Sequence, residues 1–242
     1  MKLTSVATIL SFDPFSVDTG DSSMNLGERV ILADRREFAY GKASTTSSIG
    51  KLQLAPAPIP NHANMAVTAS ALGANQLTVT PGATAGAANI YTEGYAVINA
   101  GPNLGASYGV KFNPAITASV AFTIDLFDPI RNTALTTASK VTLVHNPYNL
   151  FAQGTTTTLR GAGVPLSTFA ANNYGYLQTR GVASVLADGV IALGSDVNVG
   201  TVAGSVKAVS GVYATDLVTV RMGTAIIAGV DTEYRPVYLN IP

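Results

Sequence analysis

Residues Tyr176–Val197 read YLQTRGVASVLADGVIALGSDV, and the fold turns on how this stretch is read. Apolar and small polar residues alternate along it, and the alternation breaks once, at Asp188-Gly189. A period of two sends successive side chains to opposite faces of a strand. Asp-Gly supplies the positive-φ residues of a tight turn, so the stretch predicts a hairpin. Its Ala, Gly, Val and Ser side chains allow close sheet approach and bring no reactive group. The segment therefore makes surface for packing and assembly.

The same period recurs outward from it. VILADRREFAY, QLTVTPG, YAVINAG, YGVKF, SVAFTIDLF, SKVTLVHN, YGYLQT, GVASVL, GVIAL, LVTVRMG and YRPVYLNI each read as a short strand bounded by turn residues. Helical periodicity is hard to find, because Pro or Gly interrupts nearly every window of helix length. The expected class is all-β, with short-stranded sandwich or barrel units and an extended Pro-rich arm or loop.

Four segments are expected. Residues 1–42 form N-terminal strands or an arm, and 43–74 an extended connector in which Pro56, Pro58 and Pro60 disfavour helix and inner strand. Residues 75–135 form a β unit. Residues 136–242 form a C-terminal β unit, or one domain continuous with the preceding unit. A loop-like stretch from Phe151 to Asn173 carries the threonine run Thr155–Thr158 and GAGVP. GYAVINAG from Gly94 and GVASVLADG from Gly181 share their Gly and Ala spacing, which raises a duplicated β unit as one explanation and coincidence in an Ala-rich chain as the other. The start, MKLTSVATILSFDP, faintly resembles a signal peptide but has no small-residue cleavage pattern before Asp13, and is expected to be a strand or arm.

Composition narrows the function. In 242 residues, 47% are hydrophobic and 12% charged, and 14 basic residues balance 14 acidic ones. This is a foldable chain with no electrostatic footprint for nucleic acid or an anionic membrane. So few charges give poor protection against self-association, which favours an oligomer or a partner. The absence of Cys excludes disulfides and thiolate chemistry. No apolar run reaches the roughly 18 residues of a spanning helix.

The constellations that could carry chemistry are weak. GASYG, Gly105–Gly109, fits G-x-S-x-G with Ser107 as nucleophile, and Asp125 or Asp128 and then His145 follow in the chain order of an α/β-hydrolase. A nucleophile elbow needs a helix after the turn, whereas VKFNPAITASVAF reads as strand, turn and strand. His62 and His145 belong to no spaced metal pair. Asp13, Asp18 and Asp21 lack the spacing and closing Glu of a calcium loop. Asp125 and Asp128 read as an outward strand residue and a turn rather than a glycosidase pair. No catalytic residue, metal ligand or cofactor is assigned.

GERVILADRREF gathers the charge: Arg29, Arg35 and Arg36 with Glu28, Asp34 and Glu37. Phe12, Phe15, Phe38 and Tyr40 stand close by in sequence. The bland explanation is a solvated hairpin; the functional one is an interface, because Arg and aromatic residues anchor partner surfaces.

The succession LGERVILADRREFAYGKAS, ANIYTEGYAVINAGPNLGASYGVKFN, VTLVHNPYNL, NNYGYLQTRGVASVLADG and AGVDTEYRPVYLNI resembles the capsid decoration, or cement, proteins of tailed bacteriophages, in order over most of the chain. The Pro-rich arm and the Thr run stand outside it. The resemblance implies a non-enzymatic, β-rich virion protein without a cofactor. Such a protein sits on the outer capsid surface and clamps neighbouring major capsid subunits, often as a homotrimer. The expected interface residues, for the capsid or for another copy, are Phe12, Phe15, Arg29, Arg35, Arg36, Phe38 and Tyr40, with Pro56, Pro58 and Pro60 of the arm. The alternative is a virion-surface adhesin binding host glycans, with Tyr91, Tyr95 and Tyr108 as sugar platforms.

Overall fold

The computed structural model describes residues 12–20, 24–209 and 220–241. The expected N-terminal strand or arm at 1–11 lies outside them. The described residues hold no α-helix, only a 3-10 turn at Pro60–His62. In chain order the first strands are β1 (Val17–Asp18), β2 (Arg29–Ile31), β3 (Glu37–Ala43), β4 (Gln53–Leu54), β5 (Met65–Val67) and β6 (Gln76–Thr80). Then come β7 (Tyr95–Ala100), β8 (Ser107–Phe112), β9 (Phe122–Leu126), β10 (Lys140–Val144), β11 (Asn149–Gln153) and β12 (Gly161–Pro165). The chain ends with β13 (Tyr174–Leu186), β14 (Asp196–Val199), β15 (Val206–Ala208), β16 (Gly223–Ala225) and β17 (Tyr234–Asn240).

These strands gather into two compact units, Ala57–Asn146 and Ser11–Pro56 with Pro147–Pro242. The first unit is a closed antiparallel barrel of six strands in the order β10-β5-β6-β9-β8-β7. Alternate residues fill it: Leu77 and Val79, Ala96 and Ile98, Ile124 and Leu126, Val141 and Leu143 are all buried. Closure pairs every strand on both sides and leaves no edge to aggregate.

The second unit contains a closed ring of five strands, β13-β12-β4-β11-β3, whose β11–β3 pair is the parallel one. From β13 a sheet continues through β17, β16, β14 and β15, over a core that includes Val185, Val197, Val206, Val237 and Leu239. At the far side, β2 pairs with β3. All-β barrel units are thus what the alternating strands build.

The segment boundaries fall elsewhere than expected. The stretch expected as an extended connector supplies β4 and β5, with Leu52, Leu54, Ala55, Met65 and Val67 buried. Prolines stop helix and ladder only at their own positions, so the residues around them remain free to pair. The expected division near 135 is not seen either, because β10 is needed to close the first barrel between β5 and β7. The Phe151–Asn173 stretch is loop and turn over most of its length, as expected, but it also carries the end of β11 and all of β12, which is buried throughout; a Cβ on Gly161 would stand 2.6 Å from the Met222 sulfur. Its glycines mark close packing.

The predicted hairpin is corrected in the same way. YGYLQT and GVASVL join in one strand, β13. Gly189 has the positive φ of the predicted turn, +79°, yet GVIAL makes only an isolated bridge from Ile191 to Gly229. The edge that a hairpin partner would need at Arg180–Leu186 is taken by β17, through seven matched pairs. Asp188 meanwhile accepts hydrogen bonds from Thr201 and Val202 and so caps the turn between β14 and β15. The echo between GYAVINAG and GVASVLADG is not a duplication: β7 pairs with β8 and β10, whereas β13 pairs with β3, β12 and β17. Even the shared glycines differ in cause. A Cβ on Gly94 would lie 2.2 Å from the Val144 carbonyl oxygen, while Gly181 is held at φ +89° against Arg36.

Candidate functional site

The charged stretch becomes the tip and outer face of the β2–β3 hairpin. Arg35 occupies the turn at φ +67° and is exposed. Arg36 is fixed from two sides, by its Nε donating to Asp34 at 2.7 Å and by its guanidinium lying 5.7 Å from the Phe38 ring centroid. The Arg36 backbone N–H, and then its side chain, hold the Asp34 carboxyl below the usual carboxylate value.

Pairing then adds residues that are remote in sequence. Ile31 faces Glu37, Glu37 faces Arg180, and Arg180 faces Asn240, so one row crosses β2, β3, β13 and β17. Glu37 lies between two arginines, 3.1 Å from Arg180 and 3.6 Å from Arg29. Glu37, followed by the Tyr238 hydroxyl, pushes the Arg180 guanidinium further up. Next in line Val182 faces Tyr238. Ile31, Val182 and Tyr238 are 61%, 51% and 44% exposed, an apolar floor beside four guanidinium groups. Asp34, Arg35, Arg36, Gly181, Val182 and Tyr238 line a cleft of about 530 Å³. Four arginines stand against the two carboxylates of Asp34 and Glu37, an excess of two positive charges on this face.

Of the expected interface residues, Arg29, Arg35 and Arg36 are brought together here. Phe38 and Tyr40 are corrected: both are buried in a cluster with Tyr176, so they support this face from behind and offer nothing to a partner. Phe12 packs into that cluster, with its ring centroid 4.7 Å from Tyr176. Phe15 is exposed. Pro56 is half-buried in the same unit, whereas Pro58 and Pro60 are exposed residues of the other unit. Arg180, Val182 and Tyr238 were missed in the sequence. Their only signal is an outward position in a period-two strand, and the register that places them beside Arg36 is set by long-range pairing.

The catalytic spacing folds into something else. GASYG forms the turn from β7 into β8, and Ser107 is the first residue of a strand paired with Val97. His145 donates from Nδ1 to the Ile90 carbonyl at 3.1 Å, and its ring centroid lies 4.5 Å from that of Tyr91. His62 is wholly buried: its Nε2 donates to the Thr84 carbonyl at 2.9 Å, and its Nδ1 accepts from the Tyr91 hydroxyl at 2.6 Å. A carbonyl can only accept, which fixes this tautomer. Burial pushes the Tyr91 hydroxyl pKa up. Burial also holds the His145 imidazole below its ordinary 6.5, with His62 adding to the shift and the Ile90 bond opposing it. Of the aspartates, Asp13 accepts from the Phe15 N–H and Asp18 from the Tyr40 hydroxyl, and Asp21 lies outside the described residues. Among the described residues, no three His, Asp or Glu side chains are grouped so as to hold a metal.

Two of the three tyrosines expected as sugar platforms are corrected as well. Tyr91 is fully buried, and Tyr108 is buried with its hydroxyl accepting from Asn103. Tyr95 alone is exposed. Comparison with protein-family models, curated proteins and solved structures finds no match.

Proposed function

We propose that the chain is a non-enzymatic virion structural protein that decorates the outer surface of a bacteriophage capsid, clamps neighbouring major capsid subunits and works as a homotrimer. The observation that carries this reading is the arginine-rich face of β2, β3, β13 and β17. Its exposed apolar floor is ringed by guanidinium groups that exceed their own carboxylates by two. Such a face fits a protein surface bearing carboxylates, because each fork of donors matches a carboxylate bidentately while the floor excludes water. The choice of a capsid as that partner rests on the resemblance of the ordered sequence motifs to those of cement proteins. Weak contacts repeated around a symmetric shell multiply by avidity, so no single contact has to be strong.

The test is co-sedimentation with undecorated capsid shells. Arg35 is exposed and makes no ion pair among the described residues, so Arg35→Glu is expected to leave the fold intact, which circular dichroism would check. The variant is expected to bind shells about tenfold or more weakly, the value of a lost charge-assisted contact. Arg35→Lys should fall between the two. Equal decoration by Arg35→Glu and the parent would refute the reading.

The adhesin reading loses Tyr91 and Tyr108 to the core. Its specific support is a cleft in the six-stranded barrel.

A further inference from the structure

The barrel of the first unit is regular except at one place. Val110 faces Leu126, but Phe112 faces Asp125, so Lys111 and Phe112 of β8 together oppose one residue of β9. This is a β-bulge, the device by which a barrel rim re-aims a side chain. The burial pattern records it: Tyr108 and Val110 point inward, then Lys111 and Phe112 are both exposed. Across the bulge lies a cleft of about 590 Å³ lined by Asn75, Gln76, Lys111, Asp125 and Phe127 among others.

The groups in this cleft are held and yet chemically free. Phe127 is 53% exposed, and its backbone N–H bonds the Gly109 carbonyl at 2.9 Å. Its ring covers Gly109, where an added Cβ would stand 3.2 Å from the Phe127 Cδ2. One side of the ring is thus supported by backbone and the other faces solvent. The Asp125 Oδ1 accepts from the Gln76 Nε2 at 2.9 Å, which orients the carboxylate and leaves its second oxygen open. Lys111 and the Asn75 amide are exposed, and their side chains have no hydrogen-bond or ion-pair partner among the described residues.

We infer that this cleft is a saccharide-binding site. A pyranose ring has an apolar face of C–H groups, which stacks on an aromatic ring, and a girdle of hydroxyls that both donate and accept. Phe127 supplies the platform. Asp125 accepts from hydroxyls, Lys111 donates to them, and Asn75 does both. A purely anionic ligand would bring the Asp125 carboxylate no proton to accept, whereas a polyhydroxyl ligand brings several together with an apolar face for Phe127. The cleft is open to solvent, so binding at each site is expected to be weak, in roughly the millimolar range.

The experiment uses the full chain on an array of neutral and acidic oligosaccharides, followed by titration of the best binder with backbone-amide NMR. Saturable binding with shifts centred on Gln76, Lys111, Asp125 and Phe127 is expected. Phe127→Ala should weaken it about tenfold, Asp125→Asn should weaken it, and Phe127→Tyr should retain it. Tyr95→Ala should leave it unchanged. No saturable binder on the array, or binding indifferent to Phe127→Ala, would overturn the inference. Capsid binding is read from residues of the other unit, so Phe127→Ala should still co-sediment with shells, and either proposal can fail without the other.

Discussion

At the scale of single residues, the two histidines show how little of their role spacing can disclose. Each is tied to a backbone carbonyl beside Tyr91, His62 to that of Thr84 and His145 to that of Ile90. His145 has a lowered folded pKa, so the unfolded chain binds its proton first. The stability that this gives is fully present above the ordinary value of 6.5 and is lost as pH falls from there through the lowered folded value. Thermal unfolding of the first barrel should therefore drop on acidification across that window. In His145→Gln, whose amide can still donate to the Ile90 carbonyl, the drop should shrink; an unchanged pH profile in the variant would assign the effect elsewhere. Val185 makes the complementary point in the second unit. It is wholly buried among Val197, Val237 and Leu239, and Val185→Asp would place an unpaired charge in an apolar core. A loss of more than about 4 kcal/mol, seen as an unfolded or insoluble product, is expected. A folded, soluble variant would contradict this packing.

At the scale of elements, deletion of Ser44–Met65 separates two ideas of the Pro-rich stretch. An extended connector would tolerate it. The observed chain would not, because the deletion removes β4 from one barrel and the first residue of β5 from the other, along with buried Leu52 and Leu54. Circular dichroism and solubility of the deletion should report misfolding, and a well-folded product would show that β4 is dispensable. The same stretch marks the limit of what the sequence discloses. Strands β6 to β10 and β17 are legible because their apolar residues alternate cleanly, as in KVTLV and FTIDL. Strands β4, β11 and β12 are not, because QL is too short to show a period and GAGVP is composed of residues that signal loops. What makes GAGVP a strand is the space left by Met222 and Leu177, which only the folded neighbours reveal. The candidate surfaces follow the same rule. Arg29, Arg35 and Arg36 were visible as a local cluster, whereas the Val182–Tyr238 pair and the bulge at Lys111 depend on register between strands far apart in sequence.

At the scale of the whole molecule, a charge-poor chain gathers four of its eight arginines on one sheet face and has a polar cleft with a single aromatic platform in the six-stranded barrel. An arginine face acting through charge predicts association that weakens with salt, since exposed charges are screened beyond a Debye length of about 10 Å at 0.1 M. The measurement that bears most directly on the decoration role is the mass of the purified chain by light scattering, alone and after mixing with undecorated capsid shells. A small stable oligomer that adds to the shells saturably, and less as salt is raised, is the predicted result. A monomer that leaves the shell mass unchanged at low salt would contradict it.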